Sequence, residues 1–206
     1  MNIEYKGANC IVISTKKATI VVDPKLSAVG LKDIANKDDI VVATQADFVL
    51  PTDEVTIDQP GEYEVKNISI IGVGAQRHID ISKKLATMYR IASVDFAVAV
   101  IGHVNPPLSE DQLESLGVVD VVVIPVGGNG YTLDAHQAVA IVRQISPKIV
   151  VPVHYADDTI SYEVPQMELG AFIKELGAPH EQATTLKLKA GSLPETLTVY
   201  ELQRTS

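Results

Sequence analysis

Five histidines, His78, His103, His136, His154 and His180, are the side chains of this sequence best suited to chemistry near neutral pH. A neutral imidazole ligates metals and exchanges protons in that range. Their positions differ in kind. His103 follows the apolar run Phe96–Ile101 through Gly102, His154 ends the run Lys148–Val153, and His78 sits in the segment Ala75–Ser82 after a further apolar stretch. Ends of strands are where sites are usually built, so three imidazoles could converge there on one ion. Each taken singly is more often structural or merely exposed, and His136 and His180 read as solvated. Two carboxylates also stand at strand ends. Asp23 closes Thr19–Asp23 ahead of Pro24, and Asp47 follows Ile40–Thr44 by three residues. Each could ligate a metal, orient an imidazole or cap a turn. The run from Pro125 to Thr132, with Gly127, Gly128, Asn129 and Gly130, lacks the spacing of a nucleotide-binding loop and reads as a tight turn or a substrate-side loop.

These residues need strands to carry them. Short Val- and Ile-rich runs broken by Gly, Asp, Asn and Pro predict strands at Asn2–Tyr5, Cys10–Ser14, Thr19–Asp23, Ile40–Thr44, Glu54–Ile57, Tyr63–Val65, Ser69–Val73, Thr87–Ile91 and Phe96–Ile101. Val118–Ile124 and Lys148–Val153 are continuously apolar, as strands covered on both faces should be. Thr184–Leu188 and Thr196–Leu202 close the chain. Three helices are predicted. The first opens on a Ser109/Gln112 capping box and stops at Gly117, the second is capped by Thr132 and stops before Pro147, and the third starts near Pro165 and stops at Gly177. The expected architecture is one α/β domain over 1–206, with two sheets and helices outside.

Composition narrows the function classes. The 206 residues are 46% hydrophobic and 21% charged, which suits an ordinary globular core. No run is long enough to span a membrane. Cys10 is the sole cysteine, so no internal disulfide and no cysteine zinc knuckle can form, and a reducing cytoplasm is the expected compartment. A net charge of −9 repels phosphate backbones, and Lys16-Lys17 and Lys83-Lys84 are isolated pairs, so no nucleic-acid partner is expected. The expected partner is a small molecule. An exposed apolar sheet edge is what would make a homodimer.

In order along the chain, several motifs resemble the metallo-β-lactamase superfamily, in the branch similar to ascorbate-6-phosphate lactonase and to the phospholipase D that cleaves N-acylethanolamine phospholipids. They are Val21-Val22-Asp23-Pro24, the strand Asp39–Thr44, Pro60-Gly61-Glu62-Tyr63, Ala75-Gln76-Arg77-His78, Ile101-Gly102-His103, Ile124-Pro125-Val126-Gly127-Gly128, and Pro152-Val153-His154-Tyr155. The resemblance implies an αββα sandwich of two mixed sheets flanked by helices. It also implies metal ligands, with His78 matching the family's third-motif histidine, His103 its bridging aspartate and His154 its final histidine.

The family's H-x-H-x-D-H loop is missing. Gln45 and Asp47 fall on its first two histidines, while Val49 and Leu50 fall on the Asp and His of a second metal and have no lone pairs to give. What remains is a mononuclear set of Asp47, His78, His103 and His154, suited to one Zn, Mn or Fe ion, with Asp23 behind it. Two functions follow as expectations. One is a metal-dependent hydrolase of a small ester, lactone or phosphorylated metabolite, with Asp47 or Asp23 orienting the attacking water and Asn129 or Tyr155 facing the oxyanion. The other is a catalytically inactive descendant, holding no metal, that serves as a binding or assembly module. The roles of Glu62 and of residues 156–165 are left open, Tyr162–Pro165 being where a lid would form.

Overall fold

A computed structural model of the protein describes residues 1–50, 55–79 and 85–205. Glu54 and the Lys83-Lys84 pair, both used above, lie outside them. The strands are β1 (Asn2–Gly7), β2 (Cys10–Ser14), β3 (Thr19–Val22), β4 (Ile40–Val42), β5 (Val55–Ile57), β6 (Gly61–Val65), β7 (Ile68–Gln76), β8 (Leu85–Ala92), β9 (Ala97–Val100), β10 (Val121–Pro125), β11 (Ile149–Val153), β12 (His180–Ala183), β13 (Leu186–Lys187) and β14 (Thr198–Leu202). They form a smaller sheet, ordered β13-β1-β2-β3-β4-β5, and a larger one, ordered β12-β14-β11-β10-β9-β8-β7-β6. Both are mixed: β3, β4 and β5 run parallel, as do β9, β10, β11 and β14, and antiparallel hairpins complete each sheet.

The two sheets face each other. Ile3, Ile11, Ile13, Ile20 and Ile40 of the smaller meet Ile70, Ile91, Val98, Val123 and Val151 of the larger in one buried cluster. The other face of the larger sheet packs under α1 (Glu110–Leu116), α2 (Ala135–Ile145) and α3 (Leu169–Leu176) through Leu116, Ala138, Val142, Leu169 and Phe172. With apolar partners on both faces, β10 and β11 are buried throughout, which is why their sequences do not alternate. The fourth layer departs from expectation. Among the described residues the outer face of the smaller sheet is covered by a 3₁₀ turn at Leu26–Val29 and not by an α-helix, with Leu26 against Cys10 and Val21.

Several predicted boundaries are corrected. Helix α2 is capped by Asp134, which accepts a hydrogen bond from the Gln137 N–H at 2.8 Å while Gln137 reaches back to the Asp134 N–H at 3.0 Å. Thr132 is buried and does not cap it. Losing a reciprocal cap costs about 1 kcal/mol, so Asp134→Ala should lower the urea-unfolding free energy by about that amount. Helix α3 starts at Leu169, since Pro165 to Glu168 run extended ahead of it. Thr184–Leu188 is not one strand: β12 ends at Ala183, and the pair Leu186–Lys187 joins the other sheet. His180 therefore lies in a strand, not a loop, and its ring bonds the Glu201 carboxylate at 2.9 Å. Glu62 is exposed on edge strand β6, away from the inter-sheet core. No helix is long and apolar enough to cross a membrane.

Candidate active site

The parallel strands β3, β4, β9, β10 and β11 end together, and the residues that follow them form the site. Asp23 follows β3, Gln45 and Asp47 follow β4, His103 follows β9, Gly127 and Tyr131 follow β10, and His154 follows β11. The backbone there is held in unusual conformations. Ala8, Asp23 and His154 adopt positive φ values of 46°, 48° and 53°. Such angles are uncommon without glycine and persist only where surroundings hold them. The holding bonds are present, since the His154 N–H donates to the Ala8 carbonyl at 2.9 Å and the Asp23 N–H to the Val42 carbonyl at 2.9 Å.

Two of the three predicted imidazoles meet. The rings of His103 and His154 lie edge to face with centroids 4.6 Å apart, and both side chains are buried. Tyr131 touches both, Phe48 abuts His103 and Tyr162 abuts His154. His154 Nδ1 lies 3.1 Å from the Gln166 side-chain oxygen, and the Gln166 amide N–H donates to the Val164 carbonyl. With the amide fixed that way the proton sits on Nδ1 and the lone pair on Nε2. His103 Nε2 lies 3.0 Å from the Asn9 side-chain amide and so is already occupied.

Burial dominates the electrostatics. It pushes His154 down to about 4, against the partial support of Gln166. It pushes His103 well below the ordinary histidine value, helped by the neighbouring His154, His78 and Arg77. Both rings are neutral at pH 7. Burial raises Asp23 to about 7, although the backbone and hydroxyl of Thr44 each donate to its carboxylate at 2.7 Å.

His78 is brought close but not in. Its N–H donates to the His103 carbonyl at 2.9 Å, its ring is half-buried, and the side chain lines neither cavity described below. Asp47 is exposed, and its carboxylate is held by the Arg77 guanidinium at 2.8 Å. Asn129 donates to the Pro165 carbonyl and is exposed. Tyr155 stacks on Tyr5 with ring centroids 6.0 Å apart and lines neither cavity described below. His136 is exposed beside Glu175.

Two cavities open on this cluster. One of about 130 Å³ is lined by Asn9, Asp23, Lys25, His154, Tyr162 and Gln166 among others. The second, of about 380 Å³, is lined by Gln45, Asp47, Arg77, Ile79 and His103. They share the wall of Phe48, Tyr131, Glu163 and Val164. Segment 156–166 therefore closes over the site. It is tied down by the Ser161 N–H on the Val29 carbonyl and by Arg204, which bonds Asp157 and Thr159.

Asn9, Phe48 and Gln166 are the site residues that sequence reasoning did not single out, while Arg77 and Tyr131 entered it only within longer motifs and without a role of their own. Asn9 sits 94 positions from the histidine it touches. Only its place in the tight turn between two apolar strands could have drawn notice.

A site at the ends of parallel strands in a two-sheet sandwich is the arrangement of the metallo-β-lactamase fold. The sequence profile of the β-lactamase superfamily domain matches residues 2–154, and the chain belongs to that family. Among curated relatives it is similar to a UPF0173 metal-dependent hydrolase of Natranaerobius thermophilus, 24% identical over 189 residues, covering 75% of this chain and 83% of that one. A Listeria innocua protein of the same description is 25% identical, with 75% and 85% covered. Among solved structures it resembles a candidate zinc-dependent hydrolase of Thermotoga maritima, with TM-score 0.73, 23% identity and 98% and 100% of the two chains covered. The fold also matches Igni18, a metallo hydrolase of Ignicoccus hospitalis, with TM-score 0.64, 18% identity and 85% and 90% covered.

Those relatives raise the question of a metal, and the donors among the described residues do not make a centre for one. Among the described residues no three His, Cys, Asp or Glu side chains converge as metal ligands. A zinc site needs at least three protein ligands. Asn9 already holds His103 Nε2, Thr44 holds both oxygens of Asp23, and Arg77 holds Asp47. A guanidinium beside the site also repels a second cation.

Proposed function

We propose that this protein uses the metallo-β-lactamase fold as a small-molecule binding module, with the joined cavities around His103 and His154 as its pocket. The observation that carries this reading is the replacement of the metal-binding loop by Gln45, Asp47, Val49 and Leu50, with Asp47 paired to Arg77. The pocket suits a ligand with one flat or apolar face. Phe48, Tyr131 and Tyr162 supply walls, while Asn9, Lys25 and Gln166 supply hydrogen bonds.

A second reading is a mononuclear metal-dependent hydrolase of a small ester, lactone or phosphorylated metabolite. It is favoured by the neutral, touching pair His103 and His154 and by the description of the curated relatives. Metal content separates the two. Protein purified without chelator should carry well under one equivalent of zinc, manganese or iron by plasma mass spectrometry, and adding zinc or manganese should leave its melting temperature unchanged. One bound equivalent with a raised melting temperature would overturn the metal-free binding reading and favour the hydrolase one.

A further inference from the structure

Arg77 immediately precedes His78, and Asp47 stands on the strand-end loop that follows β4. Their ion pair thus joins the two segments that would have shared a metal. The partners are not equally placed: the Arg77 side chain is 13% exposed and the Asp47 side chain 56%. The carboxylate faces water, which screens it, and the guanidinium lies inward. It is held there by a second bond, from Nε to the Leu85 carbonyl at 3.1 Å. Those two contacts use Nε and Nη1 of a planar, five-donor fork, while Nη2 has no partner among the described residues. Around it the larger cavity is lined by the neutral Gln45, His103 and Tyr131, with the Glu163 carboxylate on the wall it shares with the smaller cavity. The inner charge is felt at His103, where it adds to burial and to the two neighbouring imidazoles in keeping that ring unprotonated.

The geometry points to Arg77 as the resident cation of the larger cavity, receiving a carboxylate or phosphate group of the ligand on its Nη2 edge. This rests on the metal-free binding reading above and adds the ligand's chemical class to it. A fixed guanidinium matches the paired oxygens of either group. The ligand's remaining body lies against Phe48 and Tyr131, the wall shared with the smaller cavity. Asp47 acts as a positioning residue. It anchors the fork, and its own charge limits how tightly an anion is held.

Two substitutions break the same ion pair with opposite expected signs. Inorganic phosphate and malonate are titrated calorimetrically into wild type, Arg77→Gln and Asp47→Asn, with sodium chloride at matched ionic strength as the blank. Wild type should bind at least one of the two anions. Arg77→Gln should weaken that binding by about tenfold, the value of one charge-assisted hydrogen bond. Asp47→Asn keeps the cation and removes the nearest anion, so it should tighten binding. Phosphate alone would identify a phosphoryl ligand and malonate alone a carboxylate, and either supports the assignment. Binding of neither anion by wild type would overturn it, as would variants that shift affinity in the same direction or Arg77→Gln binding like wild type. Melting temperatures of both variants report any loss of fold, which the shared broken pair would impose on both alike. Metal content is measured separately, so a failed anion titration on metal-free protein removes Arg77's role without touching the binding-module reading.

Discussion

Asp23→Asn should make the protein more stable at pH 8, by up to about 3 kcal/mol, and the gain should shrink steadily as the pH is lowered toward 4. Asp23 is buried in the lining of the smaller cavity, and burial raises it from 3.8 in the unfolded chain to about 7. Between those values the folded protein holds a proton that the unfolded chain has released. The stability linked to that proton is therefore full below pH 3.8 and is lost as the pH rises through 7. At 1.36 kcal/mol per pH unit, the complete loss is roughly 4 kcal/mol. An asparagine copies the protonated carboxyl. Its oxygen can accept the Thr44 N–H and its amide can meet the Thr44 hydroxyl, the two groups that hold Asp23 at 2.7 Å. The buried histidines work in the opposite direction. His154, lowered to about 4, and His103, held well below the ordinary histidine value by burial, are neutral when folded and charged when unfolded below 6.5, so their stability is complete above pH 6.5 and lost as the pH falls toward 4. In wild type these slopes partly cancel between pH 4 and 6.5. In Asp23→Asn the histidines are no longer opposed by Asp23, and stability should climb more steeply with pH. Urea unfolding at half-unit pH steps measures both curves. A difference between them that stays constant from pH 5 to 8 would show that Asp23 does not titrate in that range.

The buried strands could be read from sequence because burial on both faces leaves an unambiguous mark. Val121–Pro125 and Ile149–Val153 contain no polar side chain, and their short length and run of β-branched Val and Ile favour a strand over a buried helix segment. Ends of helices were legible where a cap competes only with its near neighbours, as at Ser109 with Gln112. At the second helix two residues of capping type, Thr132 and Asp134, stood within three positions, and only the reach of Gln137 decides between them. The edge strands β12 and β13 were misplaced because each owes its pairing to a distant partner, β14 and β1. The site shows the same division. His103 and His154 were marked by following apolar strands, yet what each nitrogen does is set by Asn9, 94 residues away, and by Gln166, 12 residues away. Asp47 was marked as a ligand by its position alone. Its engagement by Arg77, 30 residues on, is a contact between two loops that no local pattern encodes.

Gly127→Ala tests how tightly the roof of the pocket is bound to its floor, and it should destabilise the protein by about 3 kcal/mol while disordering His154. Gly127 follows β10, and its carbonyl accepts the Met167 N–H at 2.7 Å, which ties the end of that strand to the segment closing over the cavity. A Cβ at this position would strike the His154 carbonyl and the Gln166 side-chain oxygen, both far inside van der Waals contact, and would crowd Gln166 Cβ at 3.0 Å. The first obstacle is backbone and cannot rotate away. The second is the acceptor that fixes the His154 proton on Nδ1. Relief therefore requires either that β11 shift at His154, where φ is already 53° and the N–H is committed to Ala8, or that Gln166 leave the site. Gly130, three residues along the same loop, supplies the control. A Cβ there meets nothing within 4 Å, although its φ of 75° adds some backbone strain. Gly130→Ala should accordingly cost about 1 kcal/mol and leave the imidazole resonances of His154 in place. If both alanine variants lose the same stability, or if the His154 resonances in Gly127→Ala match wild type, the strap and the histidine are not coupled through this glycine.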